Sequence, residues 1–375
     1  MQLHALPPIL LVMLLSACQQ PPRSGLDFKD RTPERLSEWH VFQRSGDVLT
    51  LDQGVMPYDL NTPLFSDYAH KFRSVYVPDG TAIRYGEDEL EFPVGTVISK
   101  TFYYPVSDEA AVDGTIAVRK VLEASQGASL DLRHVRLLET RLLVHTASGW
   151  VGLPYVWNVE QTEAILELAG ESFSLAMISE GDREAFTYMV PDANQCANCH
   201  AVEHREQILK PIGVKTRHLN KQYKYADTTQ NQLARWKQAG LLTGLNDPTK
   251  APRLARWDEI GNLDARARAY LDVNCGHCHS AQAAANTSGL LLDAEQSDPT
   301  KLGVCKIPVA AGRGSGTASF DIVPGSPEES ILLHRMKSTE PDVAMPELGR
   351  SLVHREGVAL IAAWIASLPG NCEAH

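Results

Sequence analysis

The chain has 375 residues, 43% of them hydrophobic and 22% charged, with 26 glycines and 22 prolines. This is ordinary globular composition with enough apolar material for sizeable cores. It excludes a collagen-like or low-complexity chain, and the length predicts two or three domains. The net charge of -11 argues against nucleic acid as a partner, because such binders normally carry a basic balance.

Residues 6–17 (LPPILLVMLLSA) form an apolar run too short to span a bilayer, which needs roughly 20 residues. The run fits the h-region of a secretory signal. Leu15-Ser16-Ala17-Cys18 has the form of a bacterial lipobox, although Met1–Pro8 lacks the usual Lys or Arg. Residues 1–17 therefore read as a signal peptide, Cys18 as the lipidated first residue of the mature chain, and 18–27 as a tether. With Gln19 rather than Asp after the cysteine, the expected location is the periplasmic face of the envelope, anchored to the outer membrane.

Residues 28–190 read as a β-rich domain, and residues 1–190 carry the whole negative charge, with 15 Lys+Arg against 26 Asp+Glu. Phe92–Tyr104, Thr115–Leu122, Val135–His145 and Trp150–Trp157 are aromatic or β-branched runs bounded by Gly, Pro, Asp and Ser, which predicts strands. Gln161–Leu168 reads as a short helix. Segment 57–76 holds Tyr58, Phe65, Tyr68, Phe72 and Tyr76, and its plain reading is core packing.

From Asp192 the pattern turns helical. Residues 191–260 form a first segment holding Cys196-Ala-Asn-Cys199-His200, and 261–375 a second holding Cys275-Gly-His-Cys278-His279. Each is a C-x-x-C-H sequence, the attachment signature of c-type haem. Two thiols three residues apart share one side of a helical turn, where each can add across one haem vinyl group, and the adjacent His reaches the iron. A zinc site would bring the two pairs within roughly 15–20 residues of each other. Cys199 and Cys275 stand several times further apart than that. A thioredoxin-like pair would need a surrounding βαβ pattern, and none is present. Helices are predicted over Thr229–Gly240, Leu263–Val273, Glu329–Met336 and 355–368. Between the two motifs, residues 201–256 carry 11 basic and 4 acidic residues; Lys210, Lys215, Arg217, Lys221 and Lys224 are the densest run, read as a docking face for an acidic redox partner. The bland alternative is a solvated basic face.

The motifs imply two covalent haem c groups, with His200 and His279 as iron ligands. Met345 lies in a proline-bounded loop (VAMPELG) after the second motif and reads as the other ligand of that haem, since a His/Met pair is the usual electron-transfer ligation. No Met falls between His200 and Met336, so the first haem has as candidates His218, His204, Met189, Met177, His145 and His70, or an open position. Cys305 and Cys372 remain, an even pair that an oxidising compartment would join as a disulfide.

Further strings sharpen the reading. Pro63-Leu64-Phe65-Ser66-Asp67-Tyr68-Ala69, Phe92-Pro93-Val94-Gly95-Thr96, Glu139-Thr140-Arg141-Leu142-Leu143 and Tyr155-Val156-Trp157-Asn158 lie in the β-rich half. Asn194-Gln195-Cys196, Leu219-Asn220, Asn231-Gln232-Leu233 and Arg266-Ala267-Arg268-Ala269-Tyr270-Leu271 follow. Together they resemble a little-characterised family of bacterial two-haem c-type cytochrome lipoproteins with an N-terminal β-rich region, over about residues 30–370. The resemblance implies attachment at Cys196, Cys199, Cys275 and Cys278, iron ligation by His200 and His279, and the Met loop at Met345.

The expected fold is α+β and multi-domain: a β-rich domain followed by a mainly α-helical di-haem cytochrome c region. The expected function is single-electron transfer between an oxidoreductase and another cytochrome. Two rivals stand beside it: a peroxidase-like haem enzyme with an open first haem, and a β-rich binding module that the cytochrome region serves.

Overall fold

The computed structural model describes residues 32–86, 89–107, 112–120, 127–179, 182–203 and 208–372. The signal segment, Cys18, the tether and His204 lie outside the described residues.

At the centre is a six-stranded antiparallel sheet in the order Ala164–Leu166, Gly149–Trp157, Val135–Thr146, Val97–Pro105, His70–Tyr76 and Val55–Tyr58. The strands expected at Val135–His145 and Trp150–Trp157 form its longest hairpin, closed at Thr146 and Gly149. The run expected from Phe92 becomes a strand only at Val97, because a turn comes first. Thr96 N–H donates to Pro93 O at 3.2 Å, and Gly95, at φ +90°, passes so close to Pro78 that a Cβ there would sit 2.8 Å from its ring.

The helix expected over Gln161–Leu168 is instead a short strand, Ala164–Leu166, laid against Tyr155–Trp157. Gln161 adopts φ +58°, and its side chain accepts from Leu137 N–H at 2.6 Å, so sheet pairing overrides local helix propensity. A hairpin the sequence did not reveal, Glu171–Ser179 with Asp182–Val190, is joined in parallel by Ile116–Arg119, within the expected Thr115–Leu122 run.

Alternation along the strands divides the chain's apolar material between the sheet's two faces. One face buries Phe72, Val97, Tyr103, Leu142, Val144, Leu153 and Tyr155 with Leu36, Trp39, Leu49 and Leu130. On the other, Val75 and Ile98 join Val214, Leu219, Leu233 and Trp236, while Phe102, Tyr104 and Leu138 join Leu175, Phe186 and Tyr188. Residues after the first motif are thus built into the core of the β-rich half.

The fold class expected from the sequence is corrected here. The protein is mostly β-sheet, 31% strand against 21% helix, and no mainly α-helical di-haem region is evident. The helices of the first motif's segment, α1 (Cys196–His200), α2 (Thr216–Leu219) and α3 (Gln232–Gln238), have five, four and seven residues. Short strand pairs lie between them, and Leu242–Thr243 adds in parallel to Ile83–Tyr85. Further on, α4 (Leu263–Leu271), α5 (Ile331–Lys337) and α6 (Arg355–Ser367) have nine, seven and 13 residues. The amphipathic pattern holds only over these stretches. Between the π-helical turn Asp272–Gly276 that follows α4 and the start of α5, the chain is mainly turns and 3-10 segments, broken by Pro299, Pro308, Pro324 and Pro327.

The three later helices enclose a separate core of Leu271, Leu292, Ile322, Leu333, Ile361, Trp364 and Ile365. Asn262 caps α4 by accepting from Ala265 N–H at 3.0 Å, and Trp364 Nε1 donates to Asp264 at 2.8 Å, locking α6 on α4. Cys305 and Cys372 are joined as a disulfide across 67 residues.

Candidate functional site

Each C-x-x-C-H sequence sits on a short turn that its own surroundings fix. Before the first, the Asp192 carboxylate accepts from the N–H groups of Asn194 and Gln195 at 2.8 and 2.9 Å, which starts α1 at Cys196. The second follows α4 through a π-helical turn, Asp272–Gly276, and His279 N–H donates to Cys275 O at 2.8 Å.

The two histidines are held alike. His200 Nδ1 is 2.8 Å from Lys210 O, and His279 Nδ1 is 3.3 Å from Leu290 O. A backbone carbonyl accepts from Nδ1–H, which keeps the ring proton on Nδ1 and leaves Nε2 with its lone pair, as an imidazole ligand to a metal requires. Burial pushes both imidazoles down to about 4, with the Lys100 charge adding to the effect at His200, so both are neutral near pH 7.

Although far apart in sequence, the two motifs touch. Cys278 Sγ donates to Asn198 O at 3.6 Å, and Cys199 lies against Cys278 and His277. Both motifs open on one cavity of about 1230 Å³ that Cys196, Cys199, His200, Cys275, Cys278, His279 and Met345 all line. That volume exceeds the roughly 300–1,000 Å³ of a pocket for one small ligand. Among the described residues, no three His, Cys, Asp or Glu side chains are grouped to hold a bare metal ion. The donor set fits haem: four free thiols, two neutral imidazoles with their outer nitrogens anchored, and one thioether, all facing a single space.

Met345 is half-buried in its loop, which Arg350 fixes by donating to Met345 O at 2.8 Å and Ser338 O at 2.8 Å. The residues expected from the sequence as a second ligand beside His200 separate clearly. His145 stacks on Trp150, with Nδ1 2.9 Å from Phe92 O. His70 stacks on Tyr103 with Nε2 3.0 Å from Lys120 O, and Met177 is core. Only His218 and Met189 line the cavity. His218 is buried beside Asp272, Nε2 to Oδ2 2.9 Å, whereas Met189 is 55% exposed.

The aromatic segment 57–76, read from sequence as packing, is also the seam that joins the β-rich half to the second motif. Phe65 N–H donates to Asn274 Oδ1 at 2.8 Å, one residue before Cys275, and its ring stacks on His354 with centroids 4.3 Å apart. The Asp67 carboxylate accepts from Ser351 and Leu352 N–H groups at 2.8 and 2.7 Å, beside the Met loop. Tyr270 Oη lies 2.9 Å from His354 Nδ1 on the cavity wall.

The basic run after the first motif is only partly free. Arg217 pairs with Asp272 at 3.1 Å and Glu295 at 3.3 Å, and Lys221 pairs with Asp59 at 2.7 Å. Lys215 lines the cavity, while Lys224 is exposed. Sequence reasoning missed Arg73, Lys100, Arg141 and Asp272 as members of the cavity region. For Lys100 a signal existed: it breaks the apolar alternation Ile98–Phe102–Tyr104 on one strand face.

Comparison with family models, curated proteins and solved structures returns no match.

Proposed function

We propose that the protein is a di-haem c-type cytochrome that transfers single electrons, exported and anchored to the outer membrane by lipid at Cys18. The observation that carries this reading is the convergence of two C-x-x-C-H turns on one cavity, each with its histidine Nδ1 on a backbone carbonyl. Cys196 and Cys199 would hold one haem and Cys275 and Cys278 the other. Each thiol S–H adds across a vinyl C=C, so no group leaves. His200 and His279 would each give Nε2 to an iron, and Met345 the second ligand beside His279. When bound, haem supplies reversible one-electron chemistry at a potential set by these ligands and their burial.

The chain's own contribution is positional. The carbonyls of Lys210 and Leu290 orient the imidazoles, Arg350 fixes the Met345 loop, and the buried Arg217–Asp272 pair keeps the two motif segments adjacent. Haems held at these adjacent sites would supply one-electron exchange within the chain and with an external redox partner. Redox chemistry with no soluble substrate is the simplest use of such a pair.

The test is to express the full chain with haem-attachment machinery and count covalent haems by mass and by pyridine haemochrome spectra. Two haems per chain are expected, falling to one in Cys275→Ala/Cys278→Ala. A chain that matures without covalent haem would overturn the reading.

A further inference from the structure

The cavity has one wall whose charge is out of balance. On the sheet face that looks into it, Arg73 stands opposite Lys100, and Lys100 opposite Arg141, so three cations form a row across three neighbouring strands. Like charges directly opposite one another on adjacent strands are destabilising, and an unpaired buried charge costs more still. The outer two are compensated. Arg73 Nη1 pairs with Asp59 at 2.9 Å, and Arg141 grips Glu139 through two bonds of 2.7 and 2.5 Å.

Lys100, in the middle, has no carboxylate within ion-pairing distance among the described residues. Its ammonium rests 5.0 Å from the centre of the Phe102 ring, which Lys71 and Arg141 already approach at 5.7 and 4.4 Å. Asp59 is itself shared with Lys221. Around this wall five basic side chains, Lys71, Arg73, Lys100, Arg141 and Lys221, face three acidic ones, Asp59, Asp67 and Glu139. Burial, with Arg141 and Arg73 alongside, pushes the Lys100 amine down to about 7, as expected of a cation without an anion.

The wall also adjoins the first motif. A Cβ on Gly152, the neighbour of Leu143 in the same sheet, would lie 3.2 Å from Cys196 Sγ, and the Lys100 charge reaches His200. A c-type haem carries two propionate carboxylates, anions of the kind that the middle of this row lacks. Resting on the di-haem reading, we infer that the Arg73–Lys100–Arg141 row is the seat for the propionates of the haem held by Cys196 and Cys199. Lys100 is the group that this carboxylate pair completes.

The experiment uses full-length holoprotein and the variants Lys100→Gln and Lys100→Arg. Haem is counted first, and fewer than two haems in the native protein condemns the parent reading rather than this one. With two haems present, Lys100→Gln is expected to move the propionate bending bands in resonance Raman spectra. It should also lower one of the two potentials by about a tenfold change in reduction equilibrium, or about 59 mV for one electron. Lys100→Arg restores both. Lys100→Met, which keeps the apolar stem, replaces Lys100→Gln if that variant does not accumulate. Unchanged propionate bands and potentials in a two-haem Lys100→Gln protein overturn the inference. So does a tenfold loss of succinate affinity with unchanged bands, which would make the wall a seat for a soluble carboxylate instead.

Discussion

Asp272 offers the sharpest test of how the two motifs are held in register. It lies three residues before Cys275, yet its carboxylate reaches back to the first motif's segment: to Arg217 at 3.1 Å and His218 at 2.9 Å, while accepting from Ala294 N–H at 2.9 Å. The side chains of Asp272 and Arg217 are 3% and 11% exposed, so this is a buried pair. Truncating one member of such a pair costs about 3–5 kcal/mol, because the other charge is left desolvated. Arg217 would retain Glu295, but that side chain is 67% exposed and the bond is screened. The expected loss for Asp272→Ala is therefore at the lower end, about 3 kcal/mol, or roughly a hundredfold in the folding equilibrium. Urea unfolding followed by far-UV circular dichroism measures it. Acidity supplies an independent arm. Burial works against it, but the hydrogen bond from His218 and the charges of Arg217 and Lys215 outweigh that cost and hold the Asp272 carboxyl well below the usual carboxylate range. A lowered folded-state value means that the stabilisation is complete above about pH 4, the ordinary value, and is lost as pH falls further. Asp272→Asn should accordingly flatten the acid limb of stability against pH while changing little at pH 7 beyond its own loss of the pair. An unshifted urea midpoint in Asp272→Ala, or an unchanged acid limb in Asp272→Asn, would refute the reasoning.

Met345→Ala should abolish the thioether–iron charge-transfer band of the second haem and lower its potential; a retained band in optical spectra would remove Met345 as ligand. Opening the Cys305–Cys372 bridge by Cys305→Ser/Cys372→Ser should cost about 4 kcal/mol, the chain-entropy value for a 67-residue loop, read as a lower denaturant midpoint. Cys18→Ser should release the protein from the membrane fraction into the periplasm, and continued sedimentation with membranes would contradict lipid anchoring there.

What was legible in the sequence was local. C-x-x-C-H is a contiguous signature, and the hairpin Val135–Thr146 with Gly149–Trp157 has a turn and β-branched runs that identify it without long-range information. The misread elements are those whose form is set by distant partners. Gln161–Leu168 has helix-forming residues, but Glu167 N–H bonds to Pro154 O and Leu166 N–H to Glu34 O, which commits the segment to extended chain. In the hairpin Glu171–Val190 the outer positions are exposed, and its buried residues, Leu175, Met177, Phe186, Tyr188 and Val190, are covered by Phe102, Tyr104 and Leu138 of the distant central strands. Expecting a mainly helical second half followed from real amphipathic stretches, extended too far over loop-forming sequence.

The site shows the same division at higher stakes. Two short motifs named their own ligands, but nothing in the chain between Cys199 and Cys275 announces that the turns meet. That meeting is built by residues with no motif at all: Phe65 donating to Asn274, Asp67 gathering the amides of Ser351 and Leu352, and Asp272 binding Arg217. Each is a polar bond between residues remote in sequence, and each ends within a few residues of a proposed attachment site or of the Met345 loop. A polar residue in a strand or turn looks like surface until its partner is placed. Asp67 adds a clue of another kind, since it and Tyr68 adopt φ +50° and +61°, conformations that tertiary contacts must hold in place. The β-rich half therefore acts as the scaffold that closes one cavity over both motifs: its polar seam ties it to the second motif and the Met345 loop, while core residues such as Ile98, Leu142 and Leu153 form part of the cavity wall.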